Sequence, residues 1–168
     1  MGTEKTKEAP VVQPFFDSSL EEWVTPIGRY ILNMGSIEIA TRLLVAQIEG
    51  THTSPVFNDP LDSRIGFIRN RFPREDKTRH KWAMNVLTVA KKHVDFRNIM
   101  AHNPLILTQN ADGATQIQGI INVKSNEIIL LPEIMARVEE AARLVGLLVQ
   151  MKSDFPPEST ENNVAPAV

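Results

Sequence analysis

Between residues 18 and 50 one line of positions repeats every three or four residues. Ile27, Ile31, Met34, Ile37, Leu44 and Ile48 fall on it, with Thr41 among them, which is the spacing of one helix face. Leu32, Ile39 and Leu43 form a second apolar strip, so the pattern predicts a helix buried on more than one side. Pro26 predicts a kink or a restart inside it, and Gly50 a stop. "THTSPVFNDP" reads as a loop, and "LDSRIGFIRNRF" as a short helix stopped by Pro73. Trp82, Val86, Val89, His93, Phe96 and Met100 then mark the core face of a third, long helix, and Lys91, Asp95, Asn98 and His102 a polar stripe on another side. Pro104 forces Asn103 out of helical backbone, so that helix ends near His102.

Beyond Pro104 the period changes. "LILTQ", "TQIQGIINV" and "EIILL" are short β-prone runs, separated by the turn-forming "NADGA" and "KSN". They predict a small antiparallel meander over about 104–131. Pro132 and Glu133 open a last helix, whose inward stripe is Ile134, Val138, Ala141, Val145, Leu148 and Lys152. The fold class expected is therefore mainly α: a helical bundle with a small β meander before the last helix, spanning residues 18–153. Residues 1–17 are expected as a flexible tail and 154–168 as a disordered one.

With 168 residues, 42% of them apolar, the chain can build one ordinary core. It has no uninterrupted apolar run of membrane-spanning length and no apolar leader, although "MGTEKT" fits a loose N-myristoylation pattern. Cysteine is absent, which excludes disulfides and thiolate metal sites. A cytoplasmic location and no membrane association are expected. His52, His80 and His93 lack metal-ligand spacing, and no phosphate-cradling glycine loop is present, so neither a metal nor a cofactor is expected. Gly28 and Gly35, inside the first helix, are best explained by close helix packing.

The net charge of −2 conceals an uneven distribution. From Arg64 to Arg97 ten Lys or Arg stand against three acidic residues, a balance of +7 that leaves −9 elsewhere. Arg64, Arg69, Arg71, Arg74 and Lys91 are candidate RNA-phosphate contacts in that block, and a solvated charged face is the alternative.

The chemistry concentrates in "DFRNIMAHNPL", residues 95–105. Asn98 and His102, four apart, share a helix face. Arg97 and His102, five apart, diverge by about 140° around the axis. The helix-end carbonyls favour a protonated imidazole and the guanidinium disfavours it, a balance suited to phosphodiester chemistry. On residue types alone, Arg97 pairing with a carboxylate and His102 capping the helix explain the same residues.

"RNIMAH" resembles the Arg-x4–6-His motif of the HEPN superfamily, in which the residue after the arginine is commonly polar, as Asn98 is. "YILNMGSIEIATRLL" is similar to the first core helix of small bacterial members, with Glu38 at their glutamate. The resemblance covers roughly residues 20–152; the meander departs from the bare bundle and looks like an insertion. It implies a homodimer whose motif helices meet near the two-fold. It also implies metal-independent endoribonuclease activity on RNA, in the setting of a toxin or defence effector with an antitoxin protein. His102 would then be general acid or base and Arg97 would stabilise transition-state charge, with Asn98 in support. Glu38 would hold Arg97 or pair with Arg42. The alternative within the same resemblance is a non-catalytic module binding a partner protein or a nucleotide.

Overall fold

The structure is a computed structural model that describes residues 18–109 and 115–155. Helix α1 (Ser18–Glu49) is followed by a 3-10 turn (Pro55–Asn58), α2 (Leu61–Arg71) and α3 (Lys77–His102). Strands β1 (Leu105–Gln109), β2 (Thr115–Asn122) and β3 (Glu127–Ile129) precede α4 (Leu131–Met151) and a closing 3-10 turn (Lys152–Asp154). The domain is a helical bundle with a three-stranded antiparallel sheet, in order β1-β2-β3, before its last helix. The expectations for residues 1–17, 110–114 and 156–168 lie outside the described residues.

Each boundary has a local cause. Gly50 takes a positive φ of 66° and ends α1. Asp76 caps α3, its carboxylate accepting from the backbone N–H groups of Thr78 (2.9 Å) and Arg79 (3.0 Å). Asn103 ends α3 in extended backbone, φ −113° and ψ 144°, as a residue before proline must. Pro26 neither stops nor restarts α1, which runs through it as one helix.

The core lies between one face of α1 and the inner faces of the other helices. Tyr30, Met34, Ile37, Leu44 and Val45 of α1 meet Ile65 and Ile68 of α2, Leu87 and Phe96 of α3, and Ile134, Leu144 and Leu148 of α4. Ile117, Ile120 and Ile129 close it from the sheet. Gly119 lets β3 lie close: a Cβ there would stand 2.5 Å from Ile128 Cγ2 and 2.8 Å from the Ile129 carbonyl oxygen. The ordered chain also continues past the expected boundary at Ser153. Asp154 accepts a two-pronged bond from Arg79, at 2.8 Å from both Nε and Nη2, and Phe155 packs edge-on against Phe72.

Two expectations for α1 are corrected. Leu32, Ile39 and Leu43 are not a second buried strip: they are 73%, 59% and 42% exposed. Gly28 and Gly35 are not close-packing positions either, since a Cβ at either would meet nothing within 4 Å. Together these residues make an apolar outer face, extended by Val24 and Ile31. The two apolar faces together make Glu21–Glu49 long and apolar enough to cross a membrane by length and composition, although one of those faces is the core of the bundle. Trp82, expected inside, is half-buried under the Arg79 guanidinium, 3.7 Å from its ring.

Candidate functional site

The last turns of α3 are held from two sides. The Asn103 side-chain amide donates to the Ile99 carbonyl (2.7 Å), and its amide oxygen accepts from the backbone N–H of Val123 (2.9 Å). Ile121 N–H donates to the Pro104 carbonyl (3.2 Å). Asn103 thus closes the helix and ties it to the end of β2. The capping role open to His102 is filled by its neighbour.

Freed from that role, His102 is exposed and makes no hydrogen bond or ion pair among the described residues. Arg97 is exposed as well. Its one polar contact is Nη1 donating to the amide oxygen of Asn98 at 3.4 Å, and no carboxylate of the described residues pairs with it. Neither a carboxylate partner for Arg97 nor a capping bond from His102 is found among the described residues.

Arg97 and Asn98 face a cavity of about 490 Å³ where α1, the 3-10 turn, α2 and α3 converge. Glu38, Arg42 and Arg64 line it with them, whereas His102 lies outside it. Glu38 forms an ion pair with neither Arg97 nor Arg42, so neither role proposed for it takes the form of a salt bridge here. Arg64, expected within an exposed basic block, is 2% exposed. Its Nε donates to Thr41 Oγ1 (3.3 Å) and its Nη1 to the Asp59 carbonyl, both uncharged acceptors. Burial pushes its pKa down, as does the charge of Arg42, while Glu38 and Asp59 pull it up.

The other candidate RNA contacts are dispersed. Lys91 pairs with Asp62 at 2.7 Å. Arg69, Arg71 and Arg74 are exposed around the α2–α3 connection, and Arg71 lies 5.3 Å from the Phe67 ring. The cluster of three arginines from three helices was not visible as a cluster in the sequence. Arg42 lies outside the basic block in sequence, and only the packing brings it to Arg64 and Arg97. Among the described residues no three His, Asp or Glu side chains converge as metal ligands do.

A second polar cluster is enclosed in the core. Tyr30 donates to the His93 carbonyl (2.9 Å), and its hydroxyl lies 3.2 Å from His93 Nδ1. The single phenolic proton is committed to the carbonyl, so Nδ1 carries the imidazole proton and donates to the hydroxyl. Nε2 is then a bare nitrogen. It lies 3.3 Å from Glu140 Oε2 and has no hydrogen-bond partner. Burial pushes the His93 pKa down against the pull of Glu140, and burial pushes the Tyr30 phenol well up. This cluster is closed to solvent at His93 and joins α1, α3 and α4 in the core.

No family model, curated protein or solved structure matches the chain.

Proposed function

We propose that this protein is a metal-independent endoribonuclease that acts as a homodimer. The observation that carries the proposal is the state of Arg97 and His102: a guanidinium and an imidazole, five residues apart, exposed at one helix end with no ion pair among the described residues. The likeness of "RNIMAH" to the HEPN motif supports the same residues. In the reaction His102 removes the proton of a ribose 2′-hydroxyl. The 2′-oxygen attacks the adjacent phosphorus, the bond to the 5′-oxygen breaks, and the leaving oxygen takes a proton from an imidazolium. Arg97 balances the charge that builds on the phosphoryl oxygens, with Asn98 holding its Nη1. The products are a 2′,3′-cyclic phosphate and a 5′-hydroxyl.

The two side chains diverge on one helix, so they converge across a two-fold axis instead. The outer face of α1 supports self-association: Val24, Ile31, Leu32, Ile39 and Leu43 form an exposed apolar stripe that a second copy would cover. Glu38 and Arg42, on the rim of the arginine cavity, immediately precede Ile39 and Leu43, so a partner on that stripe would border the cavity.

The test is cleavage of RNA by the purified protein in EDTA. Cutting is expected to persist, to leave cyclic phosphate ends, and to stop when the 2′-hydroxyl at the cut site is replaced by hydrogen. Arg97→Ala and His102→Ala should each reduce it at least about a hundredfold. Activity should return, to at most half the wild-type level, when the two inactive variants exchange subunits. A need for Mg²⁺, equal cutting of DNA, or wild-type activity in both variants would overturn the proposal, and a monomer by light scattering at tens of micromolar would count strongly against the dimer.

A further inference from the structure

The cavity between α1, α2 and α3 is lined by three arginines, none of which forms an ion pair among the described residues. Arg42, Arg64 and Arg97 come from three different helices and line one space of about 490 Å³. Among the described residues no carboxylate lies within ion-pair distance of any of them. The acidic side chains of the same cavity form no ion pair with them: Asp62 is taken by Lys91 at 2.7 Å, and Glu38 and Asp59 act on Arg64 only from beyond salt-bridge distance. Arg64 is 2% exposed, and burial works against its charge. Its Nε and Nη1 are held by Thr41 and the Asp59 carbonyl, both uncharged acceptors. Arg42 adds an independent sign. Its Nε is buried and lacks any acceptor, and a buried donor without an acceptor is rare in a finished structure. Arg42, Arg64 and Arg97 thus place three like charges around one space, one of them buried and one with an orphaned donor.

We propose that this cavity is a binding site for a phosphoryl group. A planar guanidinium matches two oxygens of such a group at a time, and a tetrahedral phosphoryl offers oxygens toward all three helices, where a carboxylate would satisfy one. The cavity is larger than a phosphate and lies in the size range of small-molecule sites. Asn58 and Asn98 on its walls can bond to the remainder of the ligand, and the carboxylates of Glu38 and Asp59 can accept from its hydroxyls. His102 of the same chain lies outside the cavity, so binding there is argued from the three arginines alone.

Isothermal titration with inorganic phosphate, a nucleoside 5′-monophosphate and a short 2′-O-methyl oligonucleotide tests this at low ionic strength. Phosphate and at least one nucleotide ligand are expected to bind at one site per chain. Arg42→Gln, on the rim and compatible with folding, should weaken binding at least about tenfold, as should Arg97→Gln. Arg71→Gln, at the α2–α3 connection outside the cavity, should bind phosphate as wild type, which separates this site from the exposed basic residues. Displacement of phosphate by the monophosphate alone assigns the site to a free nucleotide, and displacement by the oligonucleotide assigns it to a nucleic-acid chain. No phosphate binding at millimolar concentration, or unchanged affinity in a folded Arg42→Gln protein, would overturn it.

Discussion

Acidifying the solution should destabilise this fold through one residue, His93. The imidazole is fully buried and opposed influences act on it: burial disfavours its charged form, and Glu140 at 3.3 Å favours it. Burial wins, because Glu140 is 44% exposed and already held by Arg137 at 3.0 Å, so its charge is partly screened and partly spent. The folded pKa therefore lies below the unfolded value of 6.5. At neutral pH both states are uncharged and nothing is lost. As the pH falls through 6.5 the unfolded chain takes up a proton that the folded one refuses, and stability falls with it. If the folded imidazole stays neutral throughout, the loss between about pH 7.5 and about pH 5.5 is on the order of 1 kcal/mol, that of one pH unit of displaced titration. Urea unfolding followed by tryptophan fluorescence, on wild type and His93→Gln at both pH values, isolates the effect, since all other groups titrate in both proteins. The wild type should lose on the order of 1 kcal/mol more than the variant. Equal losses would show that His93 does not carry the dependence. A wild type that gained stability on acidification relative to the variant would show that Glu140 outweighs burial.

Two further substitutions test the packing. Gly119→Ala should cost about 1–3 kcal/mol in unfolding free energy, because the new methyl meets the β3 backbone at 2.8 Å and cannot be relieved by a rotamer change. An unchanged urea midpoint would mean the sheet is looser than described. Gly35→Ala should raise stability by about 1 kcal/mol at concentrations where the chain is monomeric, since its outer-face position has open space and glycine is a poor helix former; a lower thermal midpoint there would show that something packs on this glycine.

The helices, their order and the meander were legible because each rests on a local signal: the 3.6-residue period, the proline stops at Pro73 and Pro104, and the change of period after Pro104. The side of α1 that faces the core was not. Ile27, Met34 and Ile37 on one side and Leu32, Ile39 and Leu43 on the other are equally apolar, so periodicity identifies two faces and cannot rank them. The choice is made by α2, α3, α4 and the sheet, all of which pack on the Tyr30 side. The residues of the candidate site were legible as types at the end of α3. Their company was not: Arg42 and Arg64 reach Arg97 only through tertiary packing, and Arg64 looked like a surface charge among surface charges.

That misplacement changes what the basic block can do. Lys91 is paired, Arg79 is tied to Asp154, and Arg64 is inside. Many of the exposed, unpaired cations, among them Arg69, Arg71, Arg74, Lys77 and Lys81, lie at the α2–α3 connection. Arg97 is twenty residues along α3 from Lys77, about 30 Å at the helical rise, beyond the Debye length of about 8 Å at physiological salt. The charge at the connection is too far away to hold a phosphate beside Arg97; in the proposed site that falls to Arg42, Arg64 and Arg97 themselves. Replacing Arg71 and Arg74 together by Gln should therefore reduce the salt dependence of oligonucleotide capture and leave the affinity for inorganic phosphate unchanged, whereas Arg42→Gln should do the reverse in degree. The pair of variants titrated at low and at physiological salt decides it. Loss of phosphate affinity in Arg71→Gln/Arg74→Gln would mean that the connection, not the cavity, is where the anion sits.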